Sequence, residues 1–129
     1  MVLKNSEIGQ TGESEAVNHL KSKGYSIVCQ NYDLPIGEID IVAKKRKRLY
    51  FVEVKTSLES RFDSFSPEQR VDTRKRRRLQ GLAELYLIRE GVSLDTEWQI
   101  DVIAVTLDTE GKLKHIEHIE NAIWDQRGV

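Results

Sequence analysis

Residues 37–56 read GEIDIVAKKRKRLYFVEVKT. Two runs rich in Ile, Val, Phe and Tyr, residues 38–44 and 49–56, flank a short basic segment. That is the pattern of two strands joined as a hairpin. Opposed residues of an antiparallel pair have a constant index sum, so a turn centred on Arg46-Lys47 sets Asp40 opposite Glu53. Their Cβ atoms would then lie about 4.5–5.5 Å apart. Alternation places Glu38, Asp40 and Val42 on one face and Ile39, Ile41 and Ala43 on the other. In the second strand Phe51, Glu53 and Lys55 share a face, opposite Val52 and Val54. Both faces carry apolar residues, so both are covered, and the acids between them need a reason. Either they pair with Lys55 in a structural ion cluster, or a divalent cation lies between them. Oxygen donors without Cys or His favour Mg²⁺, Mn²⁺ or Ca²⁺ over zinc.

Working outward, residues 12–23 form a helix with Gly24 as its stop. Residues 26–31 form a strand, and residues 34–37 a turn. Residues 57–70 lack periodicity and read as a loop. Val71 and Asp72 resemble a hydrophobic residue followed by an N-cap, opening a second helix that runs to Glu90 before Gly91. Residues 97–107 contain IDVIAV and form a buried strand, and residues 112–119 an edge strand. The order α-β-β-β-α-β-β describes an α/β domain with a mixed sheet. At 100° per residue, Glu13 falls among Ala16, Val17 and Leu20 on the apolar stripe of the first helix. It sits near that helix's predicted N-terminus, where the dipole tolerates an acid, and it could reach the sheet.

The 129 residues suit one domain, 1–129. One cysteine and three scattered histidines exclude a disulfide framework within the chain and an ordinary zinc site. No apolar run approaches the roughly 20 residues of a membrane span. The first ten residues hold no secretory segment, so the expected location is cytoplasmic, with no membrane partner. Twenty basic and 21 acidic residues nearly balance, but the basic ones are segregated. KKRKR at 44–48 and RKRRR at 74–78 hold ten of them. Lys45 and Arg46 in the first run, and Arg74, Lys75, Arg76, Arg77 and Arg78 in the second, are candidate phosphate contacts. The second run opposes a helix dipole, which marks a surface with a purpose beyond folding. Lys75 also falls on the stripe with Leu79, Leu82 and Tyr86. Asp101, between Ile100 and Val102, is expected to pair with an arginine.

Asp40 followed by Glu53-Val54-Lys55 fits the D…ExK pattern of the PD-(D/E)XK nuclease superfamily. Its surroundings add specificity: Gly9-Gln10-Thr11-Gly12-Glu13 with Ala16, Gly24-Tyr25, Asn31, Gly37-Glu38-Ile39-Asp40, residues 51–56 (FVEVKT), Val71, Lys75, residues 100–103 (IDVI) and Asn121-Ala122. Together they resemble the YraN-type family of small predicted bacterial endonucleases, similar in turn to archaeal Holliday junction resolvases. Ser57 and Asp33 depart from it, standing where relatives often carry basic residues. The resemblance implies a restriction-endonuclease-like core, a central mixed sheet flanked by helices. It implies Asp40, Glu53 and Glu13 as metal ligands or their supports, the Val54 carbonyl as a further ligand to Mg²⁺ or Mn²⁺, and Lys55 as the catalytic lysine. Glu38 and Asp101 would support the site. The implied activity is metal-dependent hydrolysis of DNA, structure-selective in recombination or repair. A nucleic-acid-binding module that cuts nothing, or an RNA nuclease, would share most of these features. A resolvase-like enzyme would also need two active sites, and so a symmetric homodimer.

Overall fold

A computed structural model describes residues 4–59 and 73–123. Its elements are α1 (Asn5–Ser22), β1 (Ser26–Leu34), β2 (Gly37–Lys45), β3 (Arg48–Leu58), α2 (Thr73–Arg89), β4 (Glu97–Leu107) and β5 (Leu113–Ile123). The strands form one sheet in the order β1-β2-β3-β4-β5. All neighbours are antiparallel except β3 and β4, which run parallel. The predicted α-β-β-β-α-β-β order and mixed sheet are therefore those of the molecule. β3 extends through Ser57 and Leu58, which pair with Thr106 and Leu107 rather than opening a loop. Glu59 follows as a turn, and residues 60–70 of that expected loop, with the Val71-Asp72 cap, lie outside the described residues.

One helix covers each face. Ile8, Ala16, Val17 and Leu20 of α1 pack with Ile41, Ala43, Val52, Ile103, Val105 and Leu107. Leu79, Leu82, Ala83 and Tyr86 of α2 pack with Ile39, Val42, Leu49, Phe51, Ile100 and Val102. Each such large side chain contributes about 1.5–3 kcal/mol when fully buried. Both helices end as their glycines predict. Tyr25 N–H reaches Leu20 O and Gly24 N–H reaches Lys21 O, with Gly24 at φ +91°. Val92 N–H and Gly91 N–H repeat this on Leu87 and Ile88, with Gly91 at φ +65°. Both are Schellman closures, each followed by an apolar residue folded back on the core.

The start of α1 differs from its sequence reading: the helix begins at Asn5, so Gly9 and Gly12 lie inside it. Two interior glycines cost about 1 kcal/mol each in propensity. Tertiary contact offsets that, because Ile8 is buried one turn before Gly12. Gly12 is also where helix and sheet come closest: a Cβ there would fall 1.8 Å from Thr56 Oγ1 and 2.8 Å from Thr56 Cβ. Rotating the threonine cannot relieve the second contact. Gly12→Ala, stabilising in an isolated helix, should therefore lower stability here by about 1–3 kcal/mol. Urea unfolding of Gly12→Ala alone and combined with Thr56→Gly measures it: the second change should restore most of the loss.

Candidate functional site

The β2–β3 hairpin has the register the sequence dictates. Lys45↔Arg48, Lys44↔Leu49, Ala43↔Tyr50, Val42↔Phe51 and Ile41↔Val52 are paired, and the next step would set Asp40 against Glu53. The ladder stops there. Asp40 Oδ2 instead accepts the Val54 N–H at 2.8 Å. A side chain thus replaces a backbone partner, and the sheet forks, with β3 continuing beside β4 alone. The N–H and C=O of a strand residue face the same neighbour, so the Val54 carbonyl also borders the fork.

The faces are not those that simple alternation gives. Ile39 packs with Val42 under α2, and Ile41 with Ala43 under α1. The alternation slips between Ile39 and Ile41, and Asp40 lines the α1 side instead of sharing the α2 side with Val42. An irregular backbone lies at the same level in β1. Gln30↔Ile41 and Tyr32↔Ile39 bracket the level of Asp40, and Asn31 between them has φ +52°.

A cleft of about 260 Å³ opens there, lined by Asn5, Ile8, Gly9, Glu13, Asp40, Val54 and Thr56. Glu13 enters it from mid-helix, nine residues after Lys4, so the helix dipole does not offset its charge. Burial raises the Glu13 pKa, helped by Glu38 and Glu53. Glu38 is raised by burial, then by Asp33 and Glu53. Asp40 is pushed up to about 7, chiefly by burial, then by Glu53, Glu13 and Glu38 against the Val54 hydrogen bond. Four carboxylates thus repel one another around one fork.

Glu53 belongs to the other side of the sheet. Its Oε1 lies 3.4 Å from Lys55 Nζ and 3.4 Å from Lys75 Nζ. The three side chains are only 14%, 22% and 18% exposed, so water screens these pairs weakly. Lys75 comes from the first turns of α2; the stripe that marked it in the sequence delivers its ammonium to Glu53.

The other candidates divide. Arg74, Arg77 and Arg78 are exposed beside Lys75, while the Nε of Arg76 is buried without a hydrogen-bond partner. Lys45 lies over the Tyr25 ring at 4.9 Å. Arg46 stands at the hairpin tip with φ +58°, six residues or about 20 Å from Asp40. The first basic run therefore lies at the start of β3, while the second approaches the middle of that strand through Lys75 and Glu53.

Asp101 is separate from the fork. It is fully buried and pairs with His118, not with an arginine: His118 Nε2 is 2.7 Å from Oδ2, while Gln99 Nε2 and Asn121 N–H donate to Oδ1 at 2.8 Å each. Asp101 is absent from the charges that act on Asp40.

Sequence reasoning missed two features. Asn31 touches both Glu13 and Glu38, and Thr56 forms cleft wall. A left-handed Asn within a strand is the kind of outlier that clusters at functional sites, but it shows only once the backbone is known.

Fold and site together define a mixed-sheet α/β domain with an acid–lysine centre where two strands part. The chain belongs to UPF0102: the model described as "Uncharacterised protein family UPF0102" matches residues 12–105. This is the YraN-type family of the sequence resemblance. A UPF0102 protein of Clostridioides difficile is 42% identical over 120 residues, covering 93% of this chain and 99% of that protein. One from Moorella thermoacetica is 38% identical over 122 residues, covering 95% and 99%. A third, from Dictyoglomus thermophilum, is 34% identical over 120 residues, covering 93% and 99%. No helix among the described residues is long and apolar enough to cross a membrane.

Proposed function

We propose that this protein is a metal-dependent endonuclease that hydrolyses DNA phosphodiester bonds. The observation that carries the reading is the gathering of Asp40, Glu53 and Glu13 around the fork at Val54, with Lys55 against Glu53. Among the described residues no three His, Cys, Asp or Glu side chains stand as a group that could hold a metal ion by themselves. An open oxygen set suits Mg²⁺, which keeps several waters and takes one or two carboxylates. Burial, and after it surplus negative charge, lift Asp40 to about 7, and a divalent cation relieves the second of these. The residues therefore fit the ion: Asp40, Glu53 and the Val54 carbonyl would hold it, with Glu13 supporting a bound water. Once bound, it supplies charge stabilisation at the phosphoryl oxygen and a more acidic water.

The chain's own groups do the rest. Lys55 orients the attacking water and meets negative charge as it develops. Lys75 balances Glu53 beside it. On the α2 side of the fork, Arg74, Arg77 and Arg78 grip phosphates beside Lys75, and the hairpin tip reaches others about six base pairs away along a duplex. Such contacts position the substrate without reading its sequence.

A cleavage panel of single-stranded, duplex, flap and four-way-junction DNA with Mn²⁺, beside matched RNA, tests this. The parent should cut DNA with Mn²⁺ and not with chelator. Lys55→Ala should cut about a hundredfold more slowly while binding DNA like the parent. DNA binding without cleavage would instead assign a binding module, and cleavage confined to RNA an RNA nuclease.

A further inference from the structure

We infer that Asn31 is a positioning residue of the acidic centre, an inference that rests on the metal-dependent reading above. Glu13 Oε1 and Glu38 Oε1 can only accept in their ionised forms, so the amide nitrogen of Asn31 must face them. In that orientation it donates to Glu13 at 2.9 Å and to Glu38 at 3.0 Å. One NH₂ group thus clips together two carboxylates from different elements, α1 and β2; beyond the effect of burial, Glu53 repels both and Glu38 repels Glu13.

Packing does not account for this arrangement. Asn31 is exposed, so no core contact requires its side chain, and its backbone holds φ +52° within a strand. That conformation costs roughly 1 kcal/mol or more for a residue other than glycine, and asparagine is among the residues that bear it best. The level at which it occurs is that of Asp40, between the pairs Gln30↔Ile41 and Tyr32↔Ile39. The left-handed residue at this level aims its amide at the two glutamates. Asn31 therefore acts through Glu13: it fixes one oxygen of that carboxylate and leaves the other for the cleft.

Asn31→Gly is the informative variant, because glycine accepts the positive φ and removes only the amide. Mn²⁺ binding is measured by calorimetry and by the electron paramagnetic resonance of free Mn²⁺. Asn31→Gly should weaken binding by about tenfold to a hundredfold, the usual cost of losing a group that orients ligands. Its melting temperature in chelator should match the parent's. In a Glu13→Gln background the same change should add little, since the residue it orients is already altered. Parent-like Mn²⁺ affinity in Asn31→Gly, or full additivity with Glu13→Gln, overturns the inference and leaves the nuclease reading standing. If the parent binds Mn²⁺ no better than Asp40→Asn, the metal reading fails and takes this inference with it.

Discussion

Asp40→Asn should abolish Mn²⁺-dependent cleavage and, in the same protein, raise the melting temperature measured in chelator. The two effects have one cause. Burial and three neighbouring carboxylates push the Asp40 carboxyl from its ordinary 3.8 up to about 7. Its ionised form therefore opposes folding. The sign follows from linkage: between about pH 4 and pH 7 the unfolded chain has released this proton and the folded chain still holds it, so stability falls as pH rises. Below pH 4 both states are protonated and the penalty is absent. Complete conversion of the shift would give about 4 kcal/mol at neutral pH. Relaxation and water access at a partly open cleft reduce that to about 2 kcal/mol, or roughly 5–8 °C in a chain of this size. Asparagine keeps an oxygen for the Val54 N–H and carries no charge, so it removes the penalty and retains the bond. The melting-temperature difference between variant and parent should be near zero at pH 4 and grow to its full size by pH 7.5. Saturating Mn²⁺ should reverse the order, since binding at 100 times the dissociation constant adds about 2.7 kcal/mol to the parent alone. Cleavage by the variant should fall by at least about a hundredfold. A variant no more stable than the parent at neutral pH would show that burial and the three neighbouring acids do not burden Asp40 as described.

The second large effect concerns Asp101, more deeply buried than the acids of the cleft. Its carboxylate accepts from His118, Gln99 and the Asn121 N–H while fully buried. The last of these holds a shift in the β4–β5 register, between Ile100 and Val102, with Asn121 at φ +51°. Asp101→Ala strands three donors and opens a cavity, at a cost of about 3–5 kcal/mol. Asp101→Asn should cost about 1–2 kcal/mol, because Oδ1 survives and His118 can change tautomer to accept from the new amide. Urea unfolding of the two variants should show that ranking. Amide exchange should localise the loss in Asp101→Ala to the far end of β5. Equal stability of Asp101→Ala and the parent would remove the claim that this carboxylate pins the edge strand.

Much of this was legible in the chain itself. The hairpin register followed from a two-residue basic turn between strongly apolar runs, since strand alternation leaves little freedom once the turn is placed. β4 was legible over its full length because a buried apolar run has sharp edges. Both helix ends were legible from Gly24 and Gly91, whose positive φ values only glycine adopts cheaply. The start of α1 was not, because Gly9 and Gly12 argue locally against a helix that contact with Thr56 supports. Asp40, Glu53 and Lys55 could be placed beside one another by arithmetic, but not the face Asp40 takes. The slip that sets that face coincides with the left-handed Asn31 in another strand, and no periodicity within β2 reports it. Lys75 was visible as a stripe residue, yet its partner was not, since helix spacing says nothing of which sheet residue lies beneath. Asp101 was correctly marked as needing a partner, and the partner came from a bulged edge strand that local patterning describes poorly.

Because the Asp40 carboxylate is approached from beneath α1 and Glu53 from beneath α2, the fork works as a window between the two sides of the molecule. Any ligand that engaged both acids would act as a rivet driven through the sheet. Its arrival should slow amide exchange in both helices together, and its removal should free both. A probe attached to either outer layer would then report on an acidic centre that neither layer contains by itself.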